Sequence, residues 1–359
     1  MKKVVMVTPG IGIRYGGGRT RLVEILSVLL SLNGYRVLIV SKFPTMDKIH
    51  YSFNNIDIVS HGFYSNIKKM DYIMEIVNQY NLYKILLDNS DADILHLHIP
   101  LYGFGIPPKY RVLNFRGWVN AAERFKKAKI ILHFHGSFYN VQDPYINLNY
   151  IKEITSINAD HLIVLSRRDK KLLDKYTRHL GLDLPITTIY NPALPSFFKV
   201  GEKGINEDTL NRILYAGGSN PDKGYNIASR LSRLLDSRIT MIGPGLRRIE
   251  WFEMPSLMSE HGIVLMPTYR EGLPLLLLES MASGRVVISS RVGGIAEIIK
   301  DGVNGFLCPA GDVECFKNKI EFVVGNMDYA RRVGRNAYKT ALEEFSLRRF
   351  LESITSIYG

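Results

Sequence analysis

Two glutamates separated by seven residues, Glu271 and Glu279, have the types and spacing that most clearly suggest chemistry in this chain. They lie in the stretch YREGLPLLLLESMASG, where a Gly-Leu-Pro turn leads into a run of leucines too apolar for a solvated surface helix. Pro274 suits the first position of a helix, which places Leu273 at the N-cap, where leucine cannot bind the free amides. Those amides are then available to a phosphate, and the two carboxylates can accept hydrogen bonds from sugar hydroxyls.

Two glycine-rich loops, each between an apolar strand and a helix, indicate further phosphate contacts. The first contains Gly16-Gly17-Gly18, and the second, GGSNPDKG, contains Lys223. Glycines let a phosphate approach the backbone at a helix start, and lysine is a good point-charge partner for it. The dinucleotide-binding spacing G-x-G-x-x-G is absent. Taken singly, the first loop is equally consistent with a tight strand-helix turn, and a lysine such as Lys223 is more often a solvated surface residue.

Histidine pairs occur in HLHIP (His96, His98) and in HFHGS (His133, His135). A period of two places each pair on one face of a strand, a spacing that metal sites also use. The sequence beside them holds no cysteine or carboxylate set, so strand-end histidines with structural partners are favoured over metal ligands. His135, followed by Gly136 at the carboxyl end of a strand, is the best placed for chemistry.

Short apolar strands alternate with amphipathic helical patterns along the whole chain, which is typical of parallel α/β sheets. Ligands of such sheets bind beyond the carboxyl ends of the strands. We predict two domains and a C-terminal helix, with an irregular linker at residues 191–210. The predicted ranges are 1–195 for the first domain, 196–345 for the second and 346–359 for the helix.

Composition sets limits on location and partners. Only Cys308 and Cys315 are present, so we expect a reducing compartment, with reduced cysteines, and no disulfide framework. No stretch approaches the about 18 apolar residues of a membrane span, and the first apolar run reads as a strand rather than a signal peptide. We therefore expect a cytoplasmic protein, with any membrane contact peripheral, at the inner face.

Taken together, these motifs resemble the glycosyltransferase family 4 enzymes over nearly the whole chain. The matching segments are Gly17-Gly18, DILHLH, His135-Gly136, ADHLIVLS, IYNP, GGSNPDKG and EGLPLLLLESMASGRVVISSRVGGIAEIIKDGVNGFLCP. The resemblance implies the GT-B architecture: two Rossmann-like parallel-sheet domains facing a central cleft, with a C-terminal helix crossing back to the first domain.

The resemblance also implies an activity, namely transfer of a sugar from a UDP- or GDP-sugar with retention of anomeric configuration, without a metal or other cofactor. It assigns Glu271 to sugar hydroxyls, Glu279 to the ribose, Lys223 to the diphosphate and His135 to the transferred sugar, the catalytic set being His135, Glu271 and Lys223. The implied donor-binding set also includes Gly17, Gly18, Gly217, Gly218, Ser219, Gly272, Leu273, Pro274 and Leu275.

Two departures from the family pattern concern donor binding. Gly218 stands where such enzymes usually carry an arginine, so half of the cationic clamp is missing. Arg14, Arg247 and Arg270 are the candidates to replace it. The segment between IGPG and GIVLMPT, which helps to hold the base in such enzymes, is short, so the sequence leaves the base open.

The net charge of +12 lies almost entirely in the first 200 residues. By resemblance, that half binds the acceptor, which can be a glycan, a lipid-linked sugar or a small molecule. Residues 109–129 contain seven basic side chains and one acid, Glu123. A helix here would place Trp118, Ala121, Ala122 and Phe125 on one face, as in interfacial helices that contact anionic lipid. The alternative, slightly favoured, is an ordinary crossover helix of the fold.

Two other functions are consistent with parts of the sequence. Gly218 allows a partner subunit that binds a donor and does not catalyse. The basic charge alone suggests a nucleic-acid binder, but no recognisable binding module is present, and we expect no nucleic-acid partner. The sequence is consistent with a monomer or a homodimer.

Overall fold

A computed structural model of the chain describes residues 1–8, 18–43, 50–63, 71–99, 122–135, 157–236 and 238–359. Two compact units divide the chain. Unit 1 contains Met1–Leu165, Asp169–Ile189 and Ser353–Gly359, and unit 2 contains Ser166–Arg168 and Tyr190–Glu352. The sequence-based boundaries lie after residues 195 and 345.

The described part of unit 1 contains one eight-stranded sheet in the order β3-β4-β2-β1-β5-β6-β7-β8. Every neighbouring pair is parallel except β3 with β4. The strands are β1 (Lys3–Thr8), β2 (Arg36–Phe43), β3 (His50–Phe53), β4 (Ile56–Phe63), β5 (Ile94–Ile99), β6 (Lys129–Phe134), β7 (His161–Val164) and β8 (Ile186–Thr188).

The strands of unit 1 form because they are runs of branched apolar residues that a sheet with helices on its faces buries completely. Residues 4–7 of β1, for example, are all 0% exposed. The helices are α1 (Gly18–Leu32), α2 (Asp71–Asp88) and α3 (Arg167–His179). Leu22, Val23, Leu26 and Leu30 form the buried face of α1, so the glycines before it do precede an amphipathic helix.

Unit 2 contains a five-stranded parallel sheet in the order β10-β9-β11-β12-β13. Its strands are β9 (Ile213–Tyr215), β10 (Ile239–Met241), β11 (Ile263–Met266), β12 (Val286–Ser290) and β13 (Phe306–Cys308). The helices are α4 (Pro195–Glu202), α5 (Glu207–Leu210), α6 (Tyr225–Leu234), α7 (Met254–Ser259), α8 (Leu275–Ala282), α9 (Ile295–Ile298), α10 (Val313–Val324), α11 (Met327–Glu344) and α12 (Leu347–Tyr358).

Residues 191–210, predicted to be an irregular linker, form part of unit 2. Pro195 begins α4, as proline at a first helical position does. Phe197 on that helix is completely buried. Asn206 then begins α5 with a capping box, in which its side chain accepts from the amide of Thr209. The prediction of a linker was wrong because these are helix-start signals, and the segment is too short to show helical periodicity.

The expectation of two reduced cysteines was also wrong. Cys308, at the end of β13, and Cys315, in the first turn of α10, form a disulfide with their Cα atoms 5.8 Å apart. Asp312 caps α10 by accepting from the amide of Cys315, and the tight strand-to-helix turn brings the two sulfurs together. The cysteines therefore do not support the expected reducing compartment.

The last helix, α12, joins the two units in sequence, since its residues from Ser353 onward belong to unit 1. Within unit 1, the Tyr358 hydroxyl lies 2.7 Å from Nδ1 of His96 on β5. This agrees with the predicted C-terminal helix that returns to the first domain. None of the helices in the described ranges is both long and apolar enough to cross a membrane.

Unit 2 contains a buried histidine, His261, whose two ring nitrogens lie 2.7 Å from the carbonyl of Leu257 and 2.8 Å from the hydroxyl of Thr240. Burial lowers its pKa. At pH values below the unfolded-state pKa of about 6.5, His261 is therefore protonated in the unfolded chain but not in the folded chain. Stability is expected to fall in that range by at most about 1.4 kcal/mol per pH unit.

His261→Gln should thus show a weaker dependence of unfolding free energy on pH than the unchanged protein, measured by urea unfolding from about pH 7.5 to about pH 5.5. His179→Gln, at an exposed position on α3, is the matched control and should keep the original dependence. Equal slopes for His261→Gln and the unchanged protein would contradict the assignment.

Candidate active site

The candidate site lies where the strand order of unit 2 reverses. The chain passes from β9 to β10 on one side of β9, and then to β11 on the other side. In open parallel sheets, the crevice beyond the carboxyl ends of the strands at such a point is where ligands bind. The loops that follow β9 and β11 carry the second glycine loop and the first glutamate of the E-x7-E pair, so the topology brings the two motifs together.

Lys223 and Glu271 form an ion pair that joins these two loops. Lys223 ends a 3₁₀ turn, Pro221–Lys223, and Glu271 follows β11 after four residues. The side chains are 39% and 13% exposed, so Glu271 is largely shielded while Lys223 remains accessible to an anionic ligand. Two of the three predicted catalytic residues are therefore in direct contact.

Hydrogen bonds between the two loops hold this pair in place. The carbonyl of Asp222 accepts from the Thr268 hydroxyl and from the Tyr269 amide, both at 2.9 Å. Its carboxylate lies 2.7 Å from Nη2 of Arg270. Arg270, a predicted replacement for the missing clamp arginine, is thus held beside Lys223. Asp222 itself was not singled out from the sequence, because its role depends on the pairing of β9 with β11.

Helix α8 begins one residue later than predicted. Pro274 is the N-cap in extended conformation, and Leu275 is the first helical residue, so the assignment of Leu273 to the N-cap was wrong. The reason is that Pro274, with ψ 138°, has left the helical region. The physical consequence is the same, because proline has no side-chain oxygen and no side-chain cap is formed. The amides at the start of α8 can therefore bind an anion.

Two other predicted residues lie on this segment. Leu273 is buried at 5% exposure and anchors the turn, so its side chain is not a ligand contact. Glu279 lies in the second turn of α8 and is 4% exposed. A carboxylate is rarely buried to this extent in a surface helix, and the sequence of this segment is likewise too apolar for one.

The loop after β9 explains why Gly218 is not an arginine. Gly218 has φ 63°, and a Cβ there would overlap the backbone of Pro244 in the loop after β10. The amide of Ser219 donates to the Pro244 carbonyl at 2.8 Å, and the Tyr215 hydroxyl donates to the Gly218 carbonyl at 3.0 Å. Gly217 lies against the same Tyr215 hydroxyl. The glycine loop is thus packed against its neighbour, and position 218 has no space for a side chain.

Arg247 lies at the far end of the loop after β10. Its carbonyl accepts from the amide of Gly243 at 2.9 Å, which closes the loop around Pro244. The side chain of Arg247 is exposed. Unit 2 contains two of the predicted clamp candidates, Arg247 and Arg270. Arg247 is on a loop that packs against the glycine loop.

A second glycine pair, Gly293-Gly294, supports Glu271 from the side of β12. Gly293 has φ 50°, and a Cβ there would overlap the carbonyl oxygen of Glu271. The amide of Gly294 donates to the carbonyl of Gly272 at 2.7 Å. These contacts fix the backbone on both sides of the Glu271 side chain. The VGG sequence after a strand was the available signal for them.

The predicted site residues of the first half belong to unit 1. His135 follows β6 and is half-buried, with its Nε2 atom 2.9 Å from Nδ1 of His98. Gly18 begins α1. Arg14 and Gly17 lie outside the described residues, as does Gly136.

Part of the basic segment 109–129 can be compared with the structure, although residues 109–121 lie outside the described ranges. Ala122 and Phe125, each 2% exposed, belong to the hydrophobic core of unit 1. Arg124, Lys126 and Lys127 are exposed. The two apolar residues are therefore not available to a membrane, which favours the structural interpretation of this part of the segment.

Comparison with known proteins identifies the domain. Residues 212–340 match the family described as glycosyl transferases group 1, and this range contains the loops after β9, β10, β11 and β12. The chain is a glycosyltransferase. An uncharacterized glycosyltransferase of Methanocaldococcus jannaschii is 25% identical over 99% of this chain and 97% of its own length. The N-acetyl-alpha-D-glucosaminyl L-malate synthase of Bacillus anthracis is 22% identical over 87% of this chain and 88% of its own.

Solved structures match this glycosyltransferase over its whole length. The match to sucrose-phosphate synthase from Thermosynechococcus elongatus covers 100% of this chain and 98% of the synthase chain, with a TM-score of 0.73 and 16% identity. HepE of Anabaena, in complex with UDP, matches 99% of each chain at a TM-score of 0.69 and 15% identity. These matches confirm the predicted α/β fold class with two Rossmann-like units of the GT-B type.

Proposed function

We propose that this glycosyltransferase belongs with the family 4 enzymes and moves a sugar, with retention, from a UDP- or GDP-sugar to a glycan, lipid-linked or small-molecule acceptor. The observation that carries the proposal is the Lys223–Glu271 pair. It lies where the strand order of unit 2 reverses, beside a helix start without a side-chain cap. A cation and free amides suit a diphosphate, and a shielded carboxylate suits sugar hydroxyls.

In this proposal, the bond between the sugar's anomeric carbon and the diphosphate oxygen breaks, and the electron pair goes to the diphosphate. The acceptor oxygen bonds to the anomeric carbon on the same face, and its proton passes to the released phosphate. Lys223 and the first amides of α8 stabilise the growing negative charge, which fixed donors in a shielded site do effectively. These donors take the place of a divalent ion at the diphosphate.

Four further predicted residues have roles in the same proposal. Glu279 accepts from the ribose hydroxyls, and Arg270 and Arg247 supply the charge that an arginine at position 218 would have given. His135 acts on the transferred sugar, an assignment that rests on the family resemblance. Two similar proteins support the substrate class, since HepE was solved with UDP-glucose and the malate synthase is named for an N-acetylglucosaminyl product.

Nucleoside diphosphates should stabilise the folded protein if this proposal is right. At about 100 times the dissociation constant, the matching diphosphate adds about 2.7 kcal/mol, which for a unit of this size raises Tm by on the order of 5 °C. A thermal-shift screen over UDP, GDP and ADP measures this and selects the base. The same screen with the corresponding sugar nucleotides selects the donor.

The Lys223→Ala variant tests the phosphate contact directly. It should lose most of the shift caused by the matching diphosphate, because the Nζ atom is the accessible cation beside the start of α8. Lys203→Ala, at an exposed lysine after α4, is the matched control and should keep the shift. A full shift in Lys223→Ala would contradict the assignment of this lysine, and the absence of any shift with every diphosphate would contradict the proposed function.

A second candidate is a subunit that binds a donor without turning it over. The observation in its favour is Gly218, because the usual arginine of the clamp is absent and the loop leaves no room for it. Sustained release of nucleotide or transfer of sugar by the isolated chain would exclude this candidate. Diphosphate binding without any turnover, over a broad set of sugar nucleotides and acceptors, would favour it.

A further inference from the structure

Four histidine rings of unit 1 lie in a continuous stack at the carboxyl ends of β5 and β6. His98 on β5 is directly opposite His133 on β6. The ring centroids are 4.2 Å apart for His96 and His98, 5.2 Å for His98 and His133, and 4.3 Å for His133 and His135. His96, His98 and His133 are each 0% exposed. The proposed transfer reaction makes no use of these three side chains.

Ring nitrogens of three of these histidines lie close together, and those of His96 and His133 are incompletely hydrogen-bonded. One nitrogen from each of His96, His98 and His133 lies within 4.8 Å of the other two. Within the described part of the chain, neither nitrogen of His133 has a hydrogen-bond partner, and neither has Nε2 of His96. A buried polar atom left without a partner costs about 1–3 kcal/mol, so native structures rarely leave several in one place. These atoms therefore point to a ligand.

We propose that His96, His98 and His133 bind a first-row transition-metal ion of the zinc or cobalt class through their imidazole nitrogens. Imidazole is the side-chain ligand that such ions commonly take. In zinc sites the metal–nitrogen distance is about 2.0–2.1 Å, which places the nitrogens of a tetrahedral site about 3.4 Å from one another. The present spread of 4.8 Å would close when the rings rotate from their stack toward a shared ion.

The hydrogen bonds at the outer ring nitrogens match those of metal-binding histidines. Nδ1 of His96 lies 2.7 Å from the Tyr358 hydroxyl, and Nδ1 of His98 lies 2.9 Å from Nε2 of His135. Metal-bound histidines usually have their second nitrogen held in this way, which fixes the tautomer and the ring orientation. Both rings would thus bind the ion through Nε2.

An ion at this position would have a consequence for His135. With Nε2 of His98 on the metal, the proton of His98 is on Nδ1 and is donated to Nε2 of His135. The remaining proton of His135 must then be on its own Nδ1. The ion would act through His98 to position His135, whereas the proposed reaction assigns the donor phosphates to Lys223 and the start of α8.

The experiment measures Co²⁺ binding by the full chain, purified without a polyhistidine tag and stripped with a chelator. The expected result is one Co²⁺ per chain, with visible absorption bands that Zn²⁺ removes, since Zn²⁺ binds nitrogen ligands more tightly than Co²⁺. Zn²⁺ should also raise the Tm of the stripped protein. If the unchanged protein binds no equimolar Co²⁺, the proposal is overturned, whatever the variants do.

Two variants and a matched control locate the site. His133→Gln and His96→Gln are each expected to weaken Co²⁺ binding by about 100-fold, because each removes one of three ligands. His161→Gln changes a partly buried strand histidine of the same unit, bonded to Thr187, and should leave binding unchanged. Circular dichroism establishes which variants are folded. Undiminished Co²⁺ binding by a folded His133→Gln protein would overturn the proposal.

Discussion

Replacing Glu271 by glutamine is expected to lower kcat/KM for sugar transfer by about 100-fold or more, with little change in the fold. Glutamine keeps the shape of the side chain and removes its charge. The accessible ammonium of Lys223 then loses the largely shielded carboxylate that holds it in place. A charged hydrogen bond contributes about 1.5–3 kcal/mol, and the lower end applies to a partly exposed lysine. The sugar hydroxyls would also lose a charged acceptor, which is roughly twice as strong as a neutral one.

The measurement is steady-state kinetics with the donor that the thermal-shift screen selects. Glu321→Gln is the matched control, because Glu321 is also a glutamate paired with a lysine, Lys317, but on the exposed surface of α10. It should retain full activity, since exposed pairs contribute at most about 1 kcal/mol and this one is far in sequence from the loops of the site. A Glu271→Gln enzyme within about 3-fold of the unchanged protein would remove Glu271 from the reaction.

Most of the fold could be predicted from the sequence because its strands are continuous apolar runs. Apolar runs such as KVVMVT and VVISS form β1 and β12 in the structure, since a sheet covered on both faces leaves a clear signal in its strands. In contrast, β3, HYSF, is an antiparallel edge strand without that signal. Its existence depends on pairing with β4, a tertiary contact that local pattern does not contain.

The main residues of the candidate site could also be predicted, because their chemistry is local. Lys223 and Glu271 stand out by type, by glycine-rich surroundings and by family resemblance. Their contact with each other could not be predicted from spacing, since 48 residues separate them and only the adjacency of β9 and β11 joins their loops. The role of Asp222 could not be predicted for the same reason. Asp222 bonds to Thr268, Tyr269 and Arg270 of the other loop.

Two further features depend on geometry that a sequence rule does not contain. A count of two cysteines predicts no disulfide framework, yet the turn between β13 and α10 brings Cys308 and Cys315 together. The sequence predicts the histidine pairs at two separate strand ends, and the pairing of β5 with β6 makes them one cluster. The metal site proposed above therefore depends on the structure and not on the sequence.

The second large effect is expected at Gly218, where alanine should destabilise unit 2 by about 3 kcal/mol. A non-glycine residue in the left-handed region costs about 1–2 kcal/mol, and φ here is 63°. The new Cβ would also overlap the backbone of Pro244, and overpacking of this kind adds about 1–3 kcal/mol. Denaturant unfolding of the variant, followed through the transition of unit 2, measures the sum.

Gly204→Ala separates the two causes. Gly204 lies in the same unit with φ 69°, and a Cβ there would meet nothing within 4 Å. It should therefore cost only the conformational part, about 1–2 kcal/mol. Equal losses at the two positions would show that the loop around Pro244 can move aside, and the steric explanation for the absence of an arginine would fail.

The Gly218→Arg variant tests whether the same steric restriction affects diphosphate binding. If position 218 could hold an arginine, introducing one should improve diphosphate binding with little loss of stability. The contact of the glycine loop with Pro244 predicts the opposite, because the larger side chain must first displace the backbone that Ser219 and Arg247 hold in place. We expect Gly218→Arg to unfold more readily than Gly218→Ala and to bind the diphosphate no better. The charge missing at position 218 must then come from another candidate arginine, Arg14, Arg247 or Arg270. Of these, Arg270 lies beside Lys223, so Arg270→Ala should weaken diphosphate binding, and Gly218→Arg should not restore it.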